Sequence, residues 1–195
     1  EEYKMFIDGS WVESESKKTF ETLNPENNEP WAKVPEANSK DVDKAVKAAQ
    51  KAFEGEWPKL FPRERGKYLR EIANQLRENA EHLGKIETID TGKLYKETKT
   101  QANYIAEYYD YYAGLADKVE GTVLPIDKNN MQVITTRVPI GVVTAIIPWN
   151  SQMLLTAVKL APALAMGNTI VIKSSELAPA TLFELAKLIE KTGIP

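Results

Sequence analysis

The spacing of apolar positions changes along this chain, and each change marks a new kind of element. Over residues 1–35 short apolar runs alternate with polar ones. Met5-Phe6-Ile7 and Trp11-Val12 flank Asp8-Gly9, a dipeptide that accepts the positive φ of a two-residue hairpin turn. Prolines 25, 30 and 35 then punctuate a loop-rich connection. From Ser39 the period becomes helical, with Val42, Ala45, Val46, Ala49 and Phe53 on one face. Ser39 is placed to cap this helix, Asp41 and Asp43 suit its first turn, and Gly55 closes it. Pro62 opens a second, longer helix at a position where a missing N–H is harmless. Its buried stripe is Leu69, Ile72, Ala73, Leu76, Ala80, Leu83 and Ile86, and it stops near Asp90-Thr91-Gly92-Lys93 with Gly92 as the cap. A third helix, Glu97 to Lys118, carries Tyr104, Tyr108, Tyr111, Tyr112 and Leu115, and tyrosines so spaced read as packing before they read as a ligand cage.

Between Gly121 and Arg137 the β pattern returns. Val123-Leu124-Pro125-Ile126 and Gln132-Val133-Ile134-Thr135-Thr136 are joined by the turn-forming Asp127-Lys128-Asn129-Asn130 and predict a hairpin. An isolated hairpin is marginal in water, so this one is expected to lie against another domain or subunit. The rest reads strand, helix, strand, helix: Gly141 to Ile147, Gln152 to Ala165, Asn168 to Lys173 and Pro179 to Lys191. Both strands are continuously apolar and β-branched, as parallel strands covered on both faces are, and they define a right-handed βαβ unit with Gly167 and Gly193 at the helix ends.

Composition narrows the chemistry. At 43% hydrophobic and 27% charged the chain reads as ordinary globular protein, and a net charge of −3 with scattered Lys and Arg offers no basic stripe for nucleic acid and no polybasic segment for a membrane. Zero Cys excludes disulfides and thiolate metal sites, and a single His excludes a His-cluster metal centre. His82, in the charged stretch Arg77 to Lys85, is expected on a solvated surface. The polar start Glu1-Glu2-Tyr3-Lys4 is not a signal or transit peptide, which makes the cytoplasm the default compartment.

In an open parallel sheet ligands bind beyond the carboxyl ends of the strands, here Pro148-Trp149-Asn150 and Lys173-Ser174-Ser175-Glu176. Glu176 is placed to accept from the vicinal hydroxyls of an adenosine ribose and Lys173 to donate to the same sugar, although no Gly-x-Gly-x-x-Gly follows the first strand. Read structurally, the two are a helix-entry pair and Asn150 is a helix cap; read functionally, Asn150 donates to a developing oxyanion. Periodicity leaves both readings open.

The run Arg137-Val138-Pro139-Ile140-Gly141-Val142-Val143 through Ile146-Ile147-Pro148-Trp149-Asn150, with Lys159-Leu160-Ala161-Pro162-Ala163-Leu164-Ala165 and Gly167-Asn168-Thr169-Ile170-Val171-Ile172-Lys173-Ser174-Ser175-Glu176, closely resembles the aldehyde dehydrogenase superfamily. Phe6-Ile7-Asp8-Gly9-Ser10-Trp11, Asn24-Pro25, Asp90-Thr91-Gly92-Lys93, Tyr112-Ala113-Gly114 and Ala116-Asp117-Lys118 extend the likeness over nearly the whole chain. It implies oxidation of a small aldehyde to a carboxylic acid with NAD or NADP, in which a cysteine thiolate attacks the carbonyl and water later hydrolyses the thioester. It implies that Asn150 is the oxyanion-hole donor and that Ile146, Ile147, Pro148, Trp149, Asn150, Lys173, Ser175 and Glu176 contact the cofactor. A Glu at 176 favours NAD over NADP, whose 2′-phosphate it would repel, although some members keep the Glu and use NADP. By the same resemblance Lys159 has a proton-handling role or a plain salt bridge, and Ser151, Leu154, Leu155 and Val158 line the substrate tunnel. Ser151-Gln152 stands where many relatives carry an aromatic and a proline, which widens and polarises that wall. Thr22 and Leu23, through backbone carbonyls, and Asp90 match a monovalent-cation site of some relatives, with a helix-end cap as the alternative for Asp90.

The expected fold is therefore α/β, with the N-terminal part of a Rossmann-type parallel-sheet cofactor domain, a preceding helical segment and a protruding β-hairpin. Residues 1–120 form the N-terminal hairpin and helical part, 121–138 the oligomerisation hairpin, and 139–195 the first βαβ unit. The family continues into further strands, a catalytic Cys and a general-base Glu beyond the match to Pro195, so the expectation is an N-terminal fragment, inactive alone and exposing an unpaired strand edge, of an enzyme that is a homodimer or homotetramer. The alternatives are an acylating semialdehyde dehydrogenase using coenzyme A or phosphate, and a non-catalytic oligomerisation module.

Overall fold

The Asp8-Gly9 signal closes a tight hairpin. In the computed structural model, which describes residues 1–195, β1 (Met5–Ile7) pairs antiparallel with β2 (Ser10–Val12), and Asp8 and Gly9 take φ of 51° and 69°. Positive φ at both turn residues matches the twist of the flanking strands. The proline-punctuated stretch is not the loop expected of it: β3 (Thr19–Asn24) and β4 (Glu29–Pro35) make a second antiparallel hairpin. Pro30 fits there because the register shifts between Thr22 and Leu23, and a two-stranded sheet consists only of edges, where a missing N–H is tolerated.

The helix α1 (Ser39–Glu54) begins one residue earlier in its capping than the sequence suggested. Asn38, not Ser39, is the cap: its Oδ1 accepts from the Lys40 N–H at 2.8 Å, while the Asp41 carboxylate takes the Asn38 N–H at 2.9 Å. This reciprocal arrangement is worth about 1 kcal/mol, and it leaves Ser39 inside the helix. The long second helix is two helices, α2 (Pro62–Glu78) and α3 (Ala80–Thr91). At Asn79 the backbone leaves the helical region, and the side-chain amide donates to the Gln75 carbonyl at 2.8 Å. The apolar stripe could not reveal the break, because Leu76, Ala80 and Leu83 keep helical spacing across it and all three are buried. Gly92, with φ 74°, ends α3 as expected.

Helix α4 (Tyr95–Leu115) starts and stops slightly before its predicted limits, and its tyrosines divide differently. Tyr109 is the fully buried one, while Tyr104 and Tyr111 are 50% and 62% exposed, in edge-to-face contact with Tyr108 and Tyr112. The main core collects Leu69, Ile72 and Leu76 of α2, Leu83 of α3, and Ile105 and Tyr109 of α4. At roughly 1.5–3 kcal/mol for each large side chain removed from water, this cluster is what keeps α2, α3 and α4 together. Gly84 permits the closest approach, since a Cβ there would lie 2.8 Å from the Lys99 backbone. His82 is half exposed as predicted, yet its Nε2 lies 2.9 Å from the Glu184 carboxylate, so it ties α3 to α6 (Ala180–Lys191).

The predicted hairpin is present as β5 (Val123–Leu124) and β6 (Val133–Ile134), antiparallel and projecting Val123, Leu124, Met131 and Ile134 to solvent. The βαβ unit follows: β7 (Val142–Ile146), α5 (Gln152–Ala165) and β8 (Thr169–Lys173), with β7 and β8 parallel and in register from Val142 opposite Thr169 to Ile146 opposite Lys173. Asn168 sets that register. Its side-chain oxygen accepts the Ile140 and Gly141 N–H groups at 2.8 and 3.1 Å, its amide reaches the Ala163 carbonyl, and its own carbonyl takes the Trp57 indole N–H at 3.0 Å. The strands are covered on both faces, by α5 and the helical core on one and by α1 on the other, but the α1 cover ends before the carboxyl end of β7. The sheet has two strands here, and Ile146 is 70% exposed. Ala145 and Ile147, on the other side of the pleat, are sealed into the helical core.

Candidate active site

Parallel pairing brings the two strand ends to one edge. Ile146 faces Lys173, and the ladder extends one step further through the Ile147 N–H to the Lys173 carbonyl at 3.0 Å. The segments 146–150 and 173–176 therefore leave the sheet side by side, as predicted for a ligand site beyond the carboxyl ends. Ile147 is buried, whereas Ile146 and Trp149, at 70% and 52% exposed, present apolar surface around the exit. On the neighbouring end Lys173 Nζ meets a Glu176 carboxylate oxygen at 3.0 Å, both side chains exposed. The Glu176 backbone N–H and Lys173 hold that carboxyl below its usual range, so it is an acceptor at neutral pH. Glu176 lies four residues before α6, outside that helix's first turn, so the pair is not a helix-dipole device. Ser175 is buried, its hydroxyl accepting the Leu177 N–H at 3.2 Å.

Pro148 is extended, with φ −76° and ψ 171°, and residues Trp149–Ser151 form a single 3-10 turn before α5. Asn150 sits in the middle of that turn and is exposed. It does not cap α5, which begins without any side-chain cap, and its amide makes no hydrogen bond within the chain. The turn is held instead at Ser151, whose hydroxyl accepts from Lys93 Nζ at 2.6 Å; the same ammonium lies 3.4 Å from Glu87 Oε1. Glu87 is fully buried, and desolvation raises its carboxyl while Lys93 opposes the rise. Gln152, which follows Ser151 in the chain, is also fully buried, with neither side-chain atom partnered in the chain. Leu154, Leu155 and Val158 are partly buried along α5. Lys159 donates to the Leu155 carbonyl at 3.1 Å and has no carboxylate partner, so its salt-bridge alternative is not realised within this chain.

A family model described as the aldehyde dehydrogenase family matches residues 11–195. This chain belongs to the aldehyde dehydrogenase family. A (Z)-2-((N-methylformamido)methylene)-5-hydroxybutyrolactone dehydrogenase of Acinetobacter baylyi is 48% identical, covering 100% of this chain and 40% of that protein. A betaine aldehyde dehydrogenase of Bacillus subtilis is 44% identical over 98% of this chain and 39% of its own length. The crystal structure of a Staphylococcus aureus betaine aldehyde dehydrogenase in complex with NAD+ superposes with a TM-score of 0.95 at 40% identity, covering 98% of this chain and 38% of that one. The fold is thus the N-terminal, cofactor-binding portion of the aldehyde dehydrogenase fold, and the chain spans about two fifths of the length of these relatives.

Thr22, Leu23 and Asp90 lie apart from the strand-end residues of this aldehyde dehydrogenase chain. Asp90 Oδ1 accepts from the Thr22 hydroxyl at 2.9 Å and Oδ2 from the Ala180 N–H at 2.8 Å, so the carboxylate joins β3 to the start of α6. It caps a helix, though α6 rather than its own. Leu23 is partly exposed, opposite the bulge that Trp31 makes in β4. Sequence reasoning missed Glu87 and the reach of Lys93. The signal was there in Glu87, which stands four residues after Leu83, where the stripe calls for a buried side chain. Burial pushes the Asp90 carboxyl up to about 6, against 3.8 for an ordinary Asp, with the hydrogen bonds from Thr22 and Ala180 opposing the rise. A raised carboxyl takes up its proton in the folded state first, so its contribution to stability falls as pH rises through this window. Unfolding titrations of wild type and Asp90→Asn from pH 4 to 6 should show the variant gaining on wild type by about 2 kcal/mol, and a constant difference across the window would contradict the assignment.

Proposed function

We propose that this chain supplies the oxyanion donor and the ribose-binding pair of an NAD-dependent aldehyde dehydrogenase that oxidises a small aldehyde to its carboxylic acid. The observation that carries this reading is the Asn150 amide, unpartnered and exposed on a turn that leaves the sheet beside Lys173 and Glu176. The donors fit the cofactor. An exposed carboxylate and ammonium at a strand end suit a sugar diol, and the apolar surface of Ile146 and Trp149 suits the flat parts of a dinucleotide. Lys173, Ser175 and Glu176 would hold the adenosine ribose, with Ile146, Ile147, Pro148 and Trp149 along the adjoining strand end. When bound, NAD accepts the hydride that the aldehyde loses on oxidation. The NAD+ complex of the Staphylococcus aureus relative supports this choice of cofactor.

Asn150 donates to the carbonyl oxygen as that oxygen turns negative under attack by a thiolate. The chain has no Cys, so the thiolate comes from residues outside it, and the chain alone is inactive. Lys159, with no carboxylate partner, is free to move a proton near the acyl carbon, and Ser151, Leu154, Leu155 and Val158 wall the substrate channel.

In the enzyme containing this chain, Asn150→Ala should lower kcat about 10²- to 10³-fold with the NAD dissociation constant nearly intact, measured by steady-state kinetics and calorimetry; an unchanged kcat would sink the oxyanion role. Glu176→Gln should weaken NAD several-fold more than NADP, since NAD loses an acceptor for its 2′-hydroxyl while NADP is relieved of a repulsion. Equal effects on the two cofactors would remove the ribose assignment. The β5–β6 hairpin, apolar and exposed at Val123, Leu124 and Ile134, supports assembly into a homodimer or homotetramer. Val123→Asp with Ile134→Asp should shift the light-scattering mass toward the monomer, and an unaltered mass would place the contact elsewhere.

A further inference from the structure

Within the turn Trp149–Ser151, the side-chain hydrogen bond that reaches the rest of the protein is the one from Lys93 to Ser151, at 2.6 Å. Lys93 reaches it from the far end of α3. Gly92, left-handed at φ 74° and packed near Pro25, closes that helix through its N–H to the Thr88 carbonyl and turns the chain so that Lys93 follows directly. On the other side the ammonium meets Glu87, whose carboxylate is wholly buried one and a half turns back in the same helix; its second oxygen has no partner in the chain. A buried carboxylate with one cation beside it holds that cation firmly, because separating them leaves an uncompensated charge in a dry setting. An ammonium has three N–H directions, and Glu87 and Ser151 occupy two.

We propose that Lys93 is a positioning residue for Asn150: anchored by Glu87, it holds the Ser151 hydroxyl and thereby the short turn that aims the Asn150 amide. The proposal rests on the oxyanion role given to Asn150 above. Adjacent residues of one 3-10 turn cannot shift independently, so freeing Ser151 frees Asn150. A misplacement of about 1 Å in a group that meets the reacting atoms costs up to about 10²-fold in rate. The Ser at 151 matters to the device, since its hydroxyl is what the ammonium grips. Neither Lys93 nor Glu87 touches substrate in this account.

The test is a double-mutant cycle in the enzyme containing this chain. Ser151→Ala, a small change, should lower kcat about 10-fold while leaving the NAD dissociation constant unchanged. Lys93→Met should do the same, Lys93→Arg should recover much of the loss, and the Lys93→Met/Ser151→Ala pair should be no worse than the more damaged single variant. In an Asn150→Ala background, Ser151→Ala should have no further effect on kcat, because nothing remains to be aimed. An equal loss in both backgrounds, or full kcat in Ser151→Ala, overturns the proposal. If Lys93→Met fails to fold, the Ser151–Asn150 cycle decides alone. A wild-type kcat in Asn150→Ala defeats the oxyanion reading and this inference with it, whereas a slow Asn150→Ala beside a fast Ser151→Ala defeats only the inference.

Discussion

Asn168 holds the geometry on which everything at the strand ends depends. Its side chain binds the backbone leading into β7 and the last turn of α5, and its main-chain carbonyl takes the indole N–H of Trp57, so the starts of both strands and the helix between them meet at one residue. Parallel strands have no hairpin turn to fix their register, and a slip of one residue would invert every side chain of β7 relative to β8. Ile146 would no longer face Lys173, and the Asn150 turn would leave the sheet at the wrong height over Glu176. The register is reinforced from both sides: Thr169 donates its N–H to the Gly141 carbonyl and its hydroxyl to the Ala49 carbonyl, which ties the same point to α1.

The helical layer then serves as the wall behind that edge. Ala145, Ile147, Met153 and Leu160 enter the same apolar cluster as Leu69, Ile105 and Tyr109, so the backbone just before the turn is rigid while the turn itself is exposed. Among the buried carboxylates of this layer, two lie on α3. Asp90 is satisfied by Thr22 and by the N-terminus of α6, and Glu87 is shared with Lys93 at the base of the turn. Removing either partner from such a buried pair is far more damaging than the pair's net worth, which is why these positions constrain how the helices can move.

Much of this was legible because local chemistry and tertiary demand agree. Asp8-Gly9, Pro62, Gly92, Gly167 and the two β-branched runs each point to the element that forms, and the strand-end placement of Asn150, Lys173 and Glu176 follows from parallel topology alone. The rest failed for identifiable reasons. Pro30 looked like a breaker because the bulge beside it, at Trp31 of its own strand, appears only in the pairing with β3 and not in the sequence of β4. The break at Asn79 hid inside an unbroken apolar stripe. Tyr104, Tyr108, Tyr111 and Tyr112 were counted by helical spacing, but only the contacts of α4 with α2, α3 and α5 decide that Tyr109 faces inward. The link from Lys93 to Ser151 spans 58 residues of sequence and leaves no periodic trace at all.

Several asparagines hold backbone, whereas Asn150 stands free. Asn24, Asn38 and Asn168 use their side chains to receive backbone N–H groups, and Asn79 gives its amide to a carbonyl. Asn150 does neither. An exposed amide loses little by standing unpaired, because water satisfies it, so the fold bears almost no strain in keeping it free. In the oxyanion role proposed for it, its value would rise once bound ligands displace that water, since a donor aimed at developing charge is far stronger in a low dielectric than in solvent. What such a donor requires is direction, and a side chain without partners cannot supply its own. Direction has to come from the backbone beneath it, fixed at one end by Ile147 in the core and at the other by the hydroxyl of Ser151 on Lys93.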